Sequence, residues 1–188
     1  SMNVPLVMTV LGRDRTGLVE SLARVVAAHD GNWLESRMCR LGGEFAGLLR
    51  IHVPEEQRAD LEKALGSLPD VTVVTRLDQP VATGPNSRLA SLDVVGHDRP
   101  GIVREISRTL ASQGVNLEQL STECLSAPMS GEPLFQARAR LLLPPGLKVG
   151  DLLKSLERVG TDLTVEISLL ELDPAQEKTG ANHLVPPA

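Results

Sequence analysis

The chain has 188 residues, a formal net charge of -5, 23% charged and 41% hydrophobic residues, and among its aromatics one Trp, two Phe and no Tyr. That length suits one large domain or two small ones, with enough apolar content to bury a core. The acidic balance gives phosphate nothing to attract it and the few rings give bases nothing to stack on, so direct nucleic-acid binding is disfavoured.

Ser1 ahead of Met2 reads as a residue added for expression and carries no weight. "VPLVMTVLG" predicts a strand ending at Gly12, and Leu18, Val19, Leu22, Val25 and Val26 then recur at the helical period. "NWLESRMCRL", Gly42-Gly43 and "EFAGLLRIHV" predict a hairpin. "PEEQRADLEKALGSL" follows as a helix with Leu61, Ala64, Leu65 and Leu68 on one face and Pro54 with two glutamates at its start. "VTVVTRL" closes a βαββαβ unit. "DQPVATGPNS", Asp78 to Ser87, then reads as a linker.

The second half repeats the order. "RLASLDVVG", "GIVREISRTLASQG", "VNLEQLSTECL", "PLFQARARLLL", "VGDLLKSLERVG" and "LTVEISLLEL" predict strand, helix, two strands, helix and strand. Phe135, Ala137, Ala139 and Leu141 alternate with Gln136, Arg138, Arg140 and Leu142, the mark of a sheet with one buried face. Here the hairpin loop is the longer "SAPMSGEP", expected to be exposed. The expected boundaries are 4–78 for the first unit, 79–87 for the linker, 88–172 for the second unit and 173–188 for a disordered polar tail.

"LGRDRTGLVESLARVVAAHDGN" (Leu11 to Asn32) and "VGHDRPGIVREISRTLASQGVN" (Val95 to Asn116) align without a gap. The identical pairs include Gly12/Gly96, Asp14/Asp98, Arg15/Arg99, Gly17/Gly101 and Asn32/Asn116. In each copy a strand ends, the chain turns, and a helix begins near Gly17 or Gly101, leaving backbone N–H groups without intrahelical partners. Such an end attracts anions, and a glycine leaves room for a small carboxylate. Pro100 fits a first helical turn. The neighbouring Asp14 or Asp98 opposes a bare anion but not a zwitterion, whose ammonium would pair with turn carbonyls, the Asn32 or Asn116 amide or the aspartate. A free α-amino acid, glycine or serine first, is the natural candidate. Plainer roles stand beside this one: the aspartates as helix caps, Arg15 and Arg99 as braces or solvated side chains, the glycines as turn formers, and the asparagines as partners for strand-end backbone. Thr16 against Pro100 and Trp33 against Leu117 distinguish the two copies, so the two turns need not share a ligand.

A βαββαβ order with both helices on one side of an antiparallel sheet is the ferredoxin-like, α+β arrangement. Over residues 4 to 172 the chain resembles a tandem ACT-domain protein, because "GRDRTGLV" and "GHDRPGIV" match that family's G-x-D-R-P-G-I/L-V turn, followed by a helix and an Asn that opens the second strand. The resemblance implies an amino-acid ligand at the turn, usually across an interface between two domains packed as a pseudo-dimer. It implies Gly12, Asp14, Arg15, Gly17, Asn32, Gly96, Asp98, Arg99, Pro100, Gly101 and Asn116 as site residues. It also implies control of transcription, of the glycine cleavage or one-carbon type, through contact with a separate DNA-binding regulator. A ligand-independent interaction module and a regulatory subunit of an amino-acid metabolic enzyme are the alternatives.

Other chemistry has little support. Cys39 and Cys124 have no CxxC spacing and read as small buried or half-buried thiols. His29, His52, His97 and His183 lack metal-ligand spacing, and no G-x-S-x-G, H-E-x-x-H or Walker A sequence occurs. No metal, cofactor or catalytic residue is expected. With no long apolar run and no signal-like start, the expectation is a cytoplasmic protein with no membrane contact, and the exposed sheet faces suit a homodimer.

Overall fold

The computed structural model describes residues 2–81, 84 and 86–173. The chain divides into two compact units, Ser1–Val81 and Ala82–Ala188. Of the expected linker, Ala82, Thr83 and Pro85 lie outside the described residues, as does the expected tail beyond Asp173.

The first unit runs β1 (Asn3–Arg13), α1 (Leu18–Ala28), β2 (Asn32–Leu41), β3 (Glu44–Pro54), α2 (Glu55–Gly66) and β4 (Val71–Leu77). The second runs β5 (Arg88–His97), α3 (Ile102–Ser112), β6 (Asn116–Ser126), β7 (Pro133–Leu143), α4 (Val149–Leu163) and β8 (Val165–Leu172). Each makes a four-stranded sheet, ordered β2-β3-β1-β4 and β6-β7-β5-β8, with every neighbouring pair antiparallel. These are two ferredoxin-like units in tandem, as the order of elements predicts.

Alternation builds each core. Leu6, Met8 and Val10 of β1 and Leu49, Ile51 and Val53 of β3 point inward, against Leu18, Leu22 and Val26 of α1 and Leu61 and Leu65 of α2. In the second unit Ala90, Leu92 and Val94 join Phe135, Ala137, Ala139 and Leu141 against α3 and α4. Val19, expected on the buried stripe of α1, is 44% exposed; the stripe that meets the sheet is Leu18, Leu22 and Val26, and Val19 lies to its side.

The two hairpins differ as their sequences do. Gly42 and Gly43 take positive φ of 59° and 82°, which suits a tight two-residue reversal. Residues 127–132 make a longer loop, closed by Ala127 N–H donating to the Glu132 carbonyl at 2.9 Å. Among the described residues no helix is long and apolar enough to cross a membrane.

Candidate functional site

β1 passes to α1 through residues 14–17, and β5 passes to α3 through 98–101. Both helices have glycine at the N-cap, with φ of 83° at Gly17 and 95° at Gly101 and no side-chain cap. A Cβ is disfavoured at such angles. A Cβ built on either glycine meets no atom within 4 Å, so the space before the first helical turn is open. The N–H groups there lack carbonyls four residues back and carry the positive end of the helix dipole.

This geometry corrects two expectations. Asp14 and Asp98 do not cap the helices, because the left-handed glycine occupies the N-cap three residues further on. Pro100 is not in the first helical turn but one residue ahead of the N-cap, since α3 starts at Ile102.

Gly12 and Gly96 are glycines for a different reason. A Cβ on Gly12 would come within 2.5 Å of the Asp70 carbonyl oxygen, and one on Gly96 within 2.6 Å of that of Thr164. Each lies opposite the first residue of the neighbouring edge strand, Val71 or Val165, so a side chain would wedge the sheet open.

The acidic residue of each turn is held by its backbone against the hairpin. Asp14 N–H donates to the Gly43 carbonyl at 3.0 Å, and Asp98 N–H to the Pro133 carbonyl at 3.1 Å. Their side chains meet different neighbours. Arg40 Nη1 donates to Asp14 Oδ2 at 3.5 Å. Against Asp98 stands Cys124, whose thiol is pushed above its ordinary pKa by desolvation, then by the charge of Asp98 and a hydrogen bond to it. Both cysteines are exposed, contrary to expectation, because β2 and β6 are edge strands. His97 Nδ1 lies 3.4 Å from a Glu132 carboxylate oxygen beside the second turn. Arg99 reaches the Asp162 carbonyl of α4 at 3.3 Å, a bracing contact; Arg15 is exposed.

Asn32 and Asn116 are not brought to the turns of their own units. Asn32 lies opposite His52 while Gly12 lies opposite Phe45, and Asn116 lies opposite Leu142 while Gly96 lies opposite Phe135. Seven residues of strand, about 23 Å, separate the two positions. The intervening helix carries the chain back along the sheet, so the next strand must start at the far end. Arg40, Cys124, Gly43 and Pro133 were not legible as site residues, since hairpin register alone brings them to the turn.

Each turn thus offers backbone donors for a carboxylate and a carboxylate for an ammonium. Among the described residues no group of three or more His, Cys, Asp or Glu side chains is placed to hold a metal ion.

A family model for the ACT domain matches residues 4–73. No curated protein matches the sequence. The structure is similar to that of an unknown protein from Galdieria sulphuraria, with TM-score 0.80 and 32% identity over 92% of this chain and 100% of the other. It is also similar to a candidate glycine cleavage system transcriptional repressor, with TM-score 0.63 and 21% identity over 92% of this chain and 99% of the other, a likeness of fold. The first unit thus matches the ACT domain over residues 4–73, and the second unit repeats its turn, topology and register.

Proposed function

We propose that this chain is a non-enzymatic, amino-acid-responsive regulatory protein that works through a protein partner, modulating transcription of the glycine cleavage or one-carbon type. The observation that carries the reading is the repeated turn: an open helix N-terminus behind a left-handed glycine, with an aspartate held beside it, once in each unit. The ligand is a small amino acid such as glycine or serine. Gly12, Asp14, Arg15 and Gly17 form one site, and Gly96, Asp98, Arg99, Pro100 and Gly101 the other. Asn32 and Asn116, at the far end of their sheets, are not part of these two sites. The fold likeness to a candidate repressor and the absence of a basic charge balance both suit control through a separate DNA-binding regulator.

Magnitude limits the affinity. Glycine has five heavy atoms, and a ceiling of about 1.5 kcal/mol per atom gives about 7.5 kcal/mol, a micromolar Kd at best. That ceiling suits a metabolite present at high concentration. A coupling of about 1–3 kcal/mol to partner binding would use a sizeable part of that energy.

The test is thermal unfolding of the full chain against the common amino acids at millimolar concentration. Ligand at about 100 times Kd stabilises by about 2.7 kcal/mol, a shift of several degrees. A selective shift that disappears in the double Asp14→Ala, Asp98→Ala variant supports the reading; no shift with any amino acid overturns it.

A second reading, a ligand-independent interaction module or enzyme-regulating subunit, is favoured by the outer sheet face of the first unit. Leu11, Leu48 and Val74 there are each about half exposed. The same face suits a homodimer. Co-purification of an enzyme with no response to any amino acid would select this reading.

A further inference from the structure

Arg50 of β3 and Arg140 of β7 hold the same register position on the outer faces of the two sheets. Arg50 lies opposite Val7 and Glu35, and Arg140 opposite Ser91 and Gln119. Arg50 is neutralised twice, with Nη1 3.3 Å from a Glu35 carboxylate oxygen and Nε 2.9 Å from one of Asp78. Both carboxylates are replaced in the second unit. Gln119 stands at the position of Glu35. Leu77 lies opposite Leu6 and Glu171 opposite Ala90, its equivalent in the repeat, so Leu172 stands at the position of Asp78. The nearby Asp93 is taken by Arg138, whose Nε lies 3.3 Å from it. Among the described residues no carboxylate is within ion-pair reach of Arg140, although Arg140 is half-buried and Arg50 exposed.

The unpaired guanidinium lines a pocket of about 210 Å³ that lies wholly within the second unit. Leu89 and Leu142 give this pocket its apolar surface, and Asn86 and Ser87 its neutral polar groups. Its one carboxylate is that of Glu118, the extra residue of the β6 bulge. A cation partly withdrawn from water and lacking a counter-charge gains from an anion that reaches it. A guanidinium fork matches a carboxylate in particular. Glu118 repels a second negative charge and accepts a hydrogen bond from a donor, while the two leucines suit a short carbon chain.

We propose that this pocket binds a short monocarboxylate carrying a hydroxyl or ammonium donor, with Arg140 holding the carboxylate and Glu118 the donor. The first unit has no such site, because Glu35 and Asp78 already occupy Arg50. The pocket is on the outer sheet face, whereas the turns open ahead of α1 and α3, so the proposal is independent of the amino-acid reading of the turns.

L-lactate and L-alanine are titrated into the full chain while its methyl resonances are followed by NMR, with propionate as the probe that lacks a donor. Saturable shifts are expected at Leu89 and Leu142, and none at Leu48 and Val74 on the outer face of the first unit. The tighter of lactate and alanine identifies the donor as hydroxyl or ammonium, and propionate should bind about fivefold more weakly than it. Arg140→Gln should remove the shifts. Gln119→Glu restores the carboxylate that the first unit has, and should weaken binding about tenfold in a chain that is at least as stable. Glu118→Ala should abolish the preference over propionate. Absence of saturable shifts at Leu89 and Leu142, shifts that survive both Arg140→Gln and Gln119→Glu, or shifts that vanish in the double Asp14→Ala, Asp98→Ala variant would overturn the proposal.

Discussion

Arg40 donates to the Asp14 carboxylate at 3.5 Å, and the residue in the corresponding position against Asp98 is Cys124. The register makes these equivalent: Arg40 lies opposite Phe45 and Cys124 opposite Phe135, and those phenylalanines face Gly12 and Gly96. One turn has its negative charge met by a guanidinium, and the other has a neutral thiol as its neighbour. In a calorimetric titration with an amino acid that shifts the unfolding temperature, Asp98→Asn is expected to weaken binding about tenfold, as loss of a hydrogen bond between charged groups does. Asp14→Asn should weaken it by less than about threefold. Equal effects would show that Arg40 does not compete with the ligand's ammonium.

The contact between Asp98 and Cys124 has a chemical readout of its own. Alkylation requires the thiolate, and a raised pKa lowers its fraction at a given pH. Removing the charge in Asp98→Asn lowers the Cys124 pKa, so its alkylation profile should move to lower pH and its rate at pH 8 should rise. Mass spectrometry of the labelled peptides measures this, with the Cys39 peptide as internal reference. An unchanged Cys124 profile would mean that the thiol and carboxylate do not meet in solution.

The glycines of the second turn should respond differently to substitution. Gly96→Ala places a methyl 2.6 Å from the Thr164 carbonyl oxygen, so β5 and β8 must part. A loss of about 1–3 kcal/mol in denaturant unfolding is expected, as for other overpacked sites. Gly101→Asn meets open space and suits a residue that tolerates positive φ, so about 1 kcal/mol or less should be lost. The Asn side chain would instead lie over the helix N–H groups and abolish the amino-acid response. Retained binding in Gly101→Asn would place the ligand elsewhere.

Thr164 holds a left-handed conformation at the C-cap of α4, φ 58° and ψ 45°, which a β-branched side chain resists. Thr164→Gly should therefore stabilise the second unit by about 1 kcal/mol, read as a raised denaturant midpoint with unchanged slope. A lowered midpoint would show that the threonine side chain contributes more than the strain costs.

In the first unit, Leu49→Ala removes a fully buried side chain from a filled core. The expected cost is about 2–5 kcal/mol, larger than for any exposed position of β3. A loss below 1 kcal/mol would mean that Trp33 and Met38 collapse into the space.

Much of this protein was determined by sequence alone, because its signals are local and periodic. Alternation of Phe135, Ala137, Ala139 and Leu141 names a half-buried strand before any partner is known, and the helical spacing of Leu18, Val19, Leu22, Val25 and Val26 names a core face, of which only Val19 lies exposed to the side. The repeated turn is local as well, so Gly17 and Gly101 could be identified as special backbone positions from their place between strand and helix. Tertiary structure decided what lies beside those turns. Register, a property of two strands together, sets Arg40 against Asp14 and Cys124 against Asp98, and carries Asn32 and Asn116 to the far end of their sheets. Exposure of Cys39 and Cys124 follows from β2 and β6 being edge strands, which strand order decides and composition does not.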